Sequence, residues 1–216
     1  MVDIPSTPAD GNIKTLLVPA IADPGAPTVD ELTASGVVDI SCYLTAGGFA
    51  LTTDQATIAD ERECSTEVYG QPGRKTYSLT LTGIDNSNSA NATTANKMVD
   101  TLTEGEDMYV VRRRGKSHET AVATADVVTV LPFKPGVKTE VASEANSVLR
   151  SMWTGFITGP VRVDVPVVAR RLTPSSPPPR APHGPGRRHQ PTWGPWGEDR
   201  ERHRSAAELA AQVHHP

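Results

Sequence analysis

The 216-residue chain is 37% hydrophobic but only 5% aromatic, with 17 Gly and 19 Pro, a composition that favours short strands and frequent turns over long helices. Its length suits one domain with an appendage, and its most apolar runs, 14–22 and 121–133, fall short of the ~18 uninterrupted apolar residues of a membrane-spanning helix. The formal charge of −4 is unevenly divided: up to Ala169, thirteen Lys and Arg stand against twenty-one Asp and Glu, and beyond it eight Arg and no Lys stand against four acids.

The N-terminus, Met-Val-Asp-Ile-Pro-Ser, has no basic start and no apolar run, so a secretory signal is not expected and assembly in the cytoplasm is. Alternation of apolar and polar residues predicts strands at 13–19, 37–44, 58–69, 75–82, 108–113, 121–131, 147–158 and 161–168. Thr28 fits the N-cap of a short helical turn through Leu32. Thr93 or Thr94 is expected to start a second helix through Leu102, ahead of Gly105, after a polar linker at 86–91. In that helix Ala95, Met98, Val99 and Leu102 share a face able to cover an open sheet or barrel end.

Cys42 and Cys64 are too few for a disulfide framework or a structural zinc site. They either pair, if their strands are neighbours, or remain buried thiols, the blander reading in a reducing cytoplasm.

The segment around Gly70, Gln71, Pro72 and Gly73 carries the chemistry of a tight reversal between two strands and predicts a long hairpin. If Tyr69 faces Arg74, then Glu67 faces Thr76, Ser65 faces Ser78, Glu63 faces Thr80 and Glu61 faces Thr82. The other side then carries Val68, Cys64, Tyr77, Leu79 and Leu81. One face of such a hairpin is acidic and hydroxylic, and period-two geometry makes this register a specific expectation. Glu61, Glu63 and Glu67 repel one another and must face water, which an ordinary solvated sheet face provides.

Catalytic chemistry is not in view. No metal cluster, phosphate cradle or nucleophile-and-base pair appears at useful spacing, and neither a cofactor nor a metal is expected. His118, in Gly-Lys-Ser-His-Glu, reads as an exposed loop histidine. Arg112, Arg113 and Arg114 end a strand. Their guanidinium forks suit a phosphate or carboxylate, and because the body is acidic an acidic neighbour is the better partner than DNA.

Beyond Ala169 the chain is rich in Pro, Arg and His, lacks the apolar content for a core, and is expected to be disordered or loosely extended. Only 198–213 has helix-forming composition, with Ala206, Leu209, Ala210 and Val213 on one side. Trp193 and Trp196 either dock on a partner or sit in a solvated linker. The absence of Lys and the Arg-Pro-His-Gly bias also resemble an out-of-frame reading of GC-rich DNA.

Several ordered pieces carry a resemblance: Asp10 to Lys14 (Asp-Gly-Asn-Ile-Lys), Asp39 to Leu44 (Asp-Ile-Ser-Cys-Tyr-Leu), Asp54 to Thr57, Asp60 to Arg62, Cys64-Ser65, Gln71 to Lys75, and Glu144 to Leu149. Over residues 1–169 the chain resembles the major tail proteins of actinobacterial siphophages. The resemblance implies a mainly β domain, a β-sandwich or barrel with one flanking α-helix and a long hairpin, that forms hexameric rings stacked into a tail tube. It also implies the virion tail as location and the tape measure, tail terminator and distal tail proteins as partners, with DNA passing through unbound and no membrane contact. Under this reading Glu61, Glu63, Glu67, Ser78, Thr80 and Thr82 line the bore, and Gly70, Gln71, Pro72, Gly73, Arg112, Arg113 and Arg114 lie between subunits. Tube rings close by joining sheet edges, and an acidic wall lets DNA slide where a basic one would trap it. The alternative is a free-standing β-sandwich binding module, such as a virion decoration or adhesin domain.

Arginines in a bore would hold DNA, so 170–216 is expected outside the tube and dispensable for its fold. Protein truncated after Ala169 should stay soluble and form tubes in electron micrographs; insoluble or assembly-dead truncated protein would place the segment inside the folded unit.

Overall fold

The computed structural model describes residues 3–169. The segment 170–216, with Trp193, Trp196 and the helix expected at 198–213, lies outside the described residues. In chain order the elements are β1 (Ile13–Val18), α1 (Val29–Leu32), β2 (Val38–Asp39), β3 (Leu44–Asp60), β4 (Tyr69–Ile84), α2 (Lys97–Thr101), β5 (Met108–Arg114), β6 (Val127–Glu140), β7 (Arg150–Ile157) and β8 (Arg162–Pro166). The expected mainly β class with few helices is observed.

The strands form one antiparallel sheet in the order β2-β1-β5-β6-β7-β4-β3, with β8 added to β6. Leu17 of β1 and Leu79 and Leu81 of β4 belong to a single buried cluster with Val110, Leu131, Phe133 and Trp153, although β1 and β4 stand four places apart in the sheet. Only a curled sheet brings those faces together, and it forms a half-barrel. Met98 and Leu102 at α2 join the same cluster. Gly83 permits this approach, since a Cβ there would lie 2.5 Å from Met98 Sδ. The opposite face of β1, β5 and the start of β6 holds a second cluster of Leu16, Val18, Val111, Val128 and Val130, covered by Ile21, Leu32, Val122 and Val167.

Strand β6 pairs with three strands, β5 along one edge and β8 then β7 along the other. Residues 128–133 pair with β5, and Val127, Val128 and Val130 pair with β8 on the other side. Residues 133–135 pair with β7, as do 138–140 after a register shift between Pro135 and Lys138. Gly105 N donates to Pro135 O at 2.9 Å, and beyond that point no other described strand pairs with the far edge of β6. The unit β3-β4-β7-β6 is therefore a four-stranded sheet with two open edges, one along β3 and one at residues 137–140.

Four local expectations are corrected. The hairpin exists, but it reverses at 61–68. Asp60 pairs with Tyr69, and Gly70, Gln71 and Pro72 lie within β4 opposite Ala59, Ile58 and Thr57. A bulge between Gln55 and Thr57 takes up Pro72, which lacks a ladder N–H and is tolerated at such irregularities. The strand expected at 37–44 shortens to two residues because Asp39 Oδ1 accepts from both Ser41 N (2.9 Å) and Ser41 Oγ (2.5 Å) and turns the chain. The strand expected from 121 starts at Val127, after a loop. Finally, α2 begins at Lys97 rather than Thr93 or Thr94. Thr28 does cap α1, with a reciprocal capping box to Glu31.

Candidate functional site

Residues of β4 alternate between two environments. Leu79, Leu81 and Gly83 are buried, whereas Ser78, Thr80 and Thr82 stand on the other face. There Thr52 pairs with Ser78, Ala50 with Thr80 and Asp54 with Thr76, while on β7 Thr154 pairs with Thr80 and Met152 with Thr82. These nine positions are rich in hydroxyls and carry one carboxylate, and the same face continues to Arg150, opposite Ile84, and to Lys134, opposite Phe156. Glu61, Glu63 and Glu67 do not share it. All three are exposed in the 61–68 reversal, and the facing pairs Glu61–Thr82, Glu63–Thr80 and Glu67–Thr76 are replaced by the observed register. The geometric ground for grouping them with Ser78, Thr80 and Thr82 falls away.

Outward from Thr53 and Thr76 the hairpin loses its core. Nearly every residue of 53–59 and 69–76 is exposed, including Ile58 (55%) and Tyr69 (55%), and Val68 at the tip is 66% exposed. This is a two-stranded arm with both faces open.

The three arginines ending β5 separate by the same alternation. Arg113 is 2% exposed. Its Nη1 donates to Asp126 Oδ2 (2.9 Å) and Ala121 O (3.0 Å), and its Nη2 to Ser117 O (2.7 Å) and Thr120 O (2.9 Å). Arg113 therefore organises the 115–126 loop from inside, and its expected place between subunits is corrected. Asp126 also accepts from Lys116 Nζ and Ala123 N. Burial alone would raise its carboxyl, but these hydrogen bonds and the Arg113 charge outweigh that and hold it at about 2. Arg112, on the other face of the strand, lies 4.0 Å over the Phe49 ring, and Arg114 is exposed.

The N-terminal segment is less free than an unstructured arm. Gly115 N donates to Asn12 O (2.9 Å) and His118 N to Gly11 O (2.8 Å), while Lys14 bridges Asp39 (2.8 Å) and donates to His118 O (2.7 Å). His118 is half-buried in this loop, its Nδ1 3.3 Å from Gly11 O. Both Cys42 and Cys64 are exposed and free, which corrects the expectation of a pair or of buried thiols.

Sequence reasoning missed Asp85. Its carboxylate accepts from Ser151 Oγ (2.6 Å) and Ser87 Oγ (2.5 Å) and pairs with Lys138 (2.5 Å). Burial pushes it up, but those donors prevail and hold it well below the ordinary range. This tie fastens the 86–91 turn to the β6–β7 edge. The Asp85-Asn86-Ser87 run was the available signal, since Asp side chains commonly close such turns.

Among the described residues no group of three or more His, Cys, Asp or Glu could hold a metal, and no helix is long and apolar enough to cross a membrane. A hydroxyl-rich sheet face, unpaired strand edges and an unsupported arm are what the described residues leave open, and such edges are able to pair with another chain. The phage tail tube protein family model matches residues 1–170, and the chain belongs to that family, whose members are structural proteins and not enzymes. Among curated proteins, none matches the sequence. Solved structures to which it is similar include a chain of the anti-feeding prophage baseplate, at 13% identity and a TM-score of 0.45 over 74% of this chain and 97% of that one. Another is the SPP1 tail tube, at 11% identity and a TM-score of 0.45 over 72% and 79%.

Because the Asp126 carboxyl is depressed in the fold, the stability it confers is complete above the unfolded value of ~3.9 and is lost as pH falls toward the folded value. Urea melts of the unassembled subunit should show stability falling from about pH 4 to about pH 2. Asp126→Asn, which leaves Arg113 buried and uncompensated, should cost ~3–5 kcal/mol near neutral pH and flatten that dependence.

Proposed function

We propose that the chain is the major tail-tube subunit of a siphophage of actinobacteria, forming hexameric rings that stack into the conduit for DNA ejection. The observation that carries this reading is the four-stranded β3-β4-β7-β6 sheet with both edges open. Exposed edges invite pairing with another chain, and joining the β3 edge of one copy to residues 137–140 of the next continues the sheet from subunit to subunit until a barrel closes. Ser78, Thr80 and Thr82 then face the bore. The cations that share this face, Lys134 and Arg150, are paired with Asp107 and Glu144, so the wall offers phosphates few free cations to grip and DNA slides through without specific binding. The net excess of eight acids in residues 1–169 favours the same outcome.

Gly70, Gln71, Pro72 and Gly73, on the unsupported arm, together with Arg112 and Arg114, lie at contacts between copies. The tape measure, tail terminator and distal tail proteins are the further partners, met during assembly in the host cytoplasm. The family match ending at residue 170 supports treating 1–169 as the tube domain and 170–216 as an extension.

Negative-stain microscopy of purified protein at rising concentration tests the reading. Tubes of constant diameter are expected. Particles that stay monomeric or small at every concentration and bind preformed virions would instead support a free-standing decoration module.

A further inference from the structure

Strand β3 begins beside a cation with an unpartnered nitrogen and ends beside exposed carboxylates that make no ion pair among the described residues. At its start, Phe49, with Asp10, Ile13, Ser41, Arg112 and His118, lines a cavity of about 480 Å³. Within it Arg112 Nη1 is buried and has no hydrogen-bond partner among the described residues. The guanidinium stacks on Phe49, and burial together with the nearby Arg114 charge lowers its affinity for its proton, as expected of a cation short of a counter-ion. The one carboxylate lining the cavity, Asp10, is exposed and makes no ion pair with Arg112. Asp39 nearby is taken by Lys14.

At the other end of β3, Glu61, Glu63 and Glu67 are exposed on the 61–68 reversal. Glu67 accepts from Tyr69 Oη at 3.1 Å, and the local cation, Arg62, is already paired with Asp60 at 2.8 Å. The three glutamates make no ion pair among the described residues.

We infer that the acidic hairpin tip of one copy seats in the Arg112 cavity of a second copy. The inference rests on the tube reading and names the contact that stacks one ring on the next. Phe49 and Asp60 are separated by strand, roughly 35 Å at the usual rise per residue, so tip and cavity cannot meet within one chain. Displacing a copy by that length along its own arm brings its tip to the cavity of the next. Complementary surfaces at opposite ends of one rod make a head-to-tail interface that propagates without closing. A glutamate reaching Arg112 supplies the fork of charge-assisted hydrogen bonds that a guanidinium favours, and the exposed Val68 and Tyr69 add apolar contact around it.

Reciprocal charge reversal tests the pairing. Arg112→Glu leaves both tip and cavity acidic, and the triple variant E61K/E63K/E67K leaves both basic. With wild-type circular dichroism retained, each alone should need at least about tenfold more protein than the wild type to form tubes. An equimolar mixture of the two should assemble again, because each tip then finds an opposite cavity. If Arg112→Glu is unfolded, Arg112→Gln, which keeps the stem over Phe49, takes its place in the single-variant assay. Assembly of either folded variant at the wild-type concentration, or failure of the folded mixture to recover, overturns the pairing while leaving the tube reading intact. Wild-type protein that forms no tubes overturns the tube reading, and the pairing with it.

Discussion

A two-stranded ribbon has no core of its own. Each strand of the β3–β4 arm is satisfied on one edge by the other, but beyond Thr53 and Thr76 neither face buries side chains, and isolated hairpins of this kind are marginally stable in water. The rest of the molecule supports this arm at its base. Leu79, Leu81 and Trp153 anchor it in the curled sheet, and a bulge between Leu44 and Phe49 lies within that supported base. Gly48 is required in that bulge, since a Cβ there would lie 2.2 Å from Thr82 O. The packing at the arm's base thus holds out a surface that no other described residue covers.

The second device is the passage of β6 from one half of the sheet to the other. Its first half is enclosed by β5 and β8 and buried on both faces; its second half keeps β7 but leaves an edge open. A closed barrel in one chain would have no edges and no reason to assemble. Because β6 runs through both halves, the fold leaves a four-stranded remnant whose two edges are both unpaired among the described strands. The Arg113–Asp126 pair supports this indirectly. It fixes the loop entering β6 at the cost of burying two charges, a cost offset because Arg113 Nη1 and Nη2 each donate to two oxygens, although its buried Nε has no partner among the described residues.

Much of this was legible in the sequence. The period-two alternation of β1, β4 and β5 and Thr28 as an N-cap each predicted their own local structure, because local pattern and tertiary packing agree there. The hairpin reversal was misplaced because Gly-Gln-Pro-Gly is turn chemistry by every local rule, whereas here a bulge accepts the proline and the acidic run 61–68 makes the turn. Arg112, Arg113 and Arg114 read as one basic cluster, yet alternation sends Arg113 to the opposite face from its neighbours, a division the strand period already contained. The open edge of β6 was not legible. Nothing in Val127–Glu140 distinguishes a strand with one partner per side from one that changes partners midway, since that depends on where β8 and Gly105 fall.

Hydrogen exchange comparing the dispersed subunit with the assembled tube most directly measures whether the sheet is completed by neighbouring copies. Amides along the outer edge of β3 and at residues 137–140 should exchange freely in the subunit and become protected in the tube, while those of β5, paired on both sides already, should change little. Equal exchange at both edges in subunit and tube would contradict edge-to-edge closure of the ring.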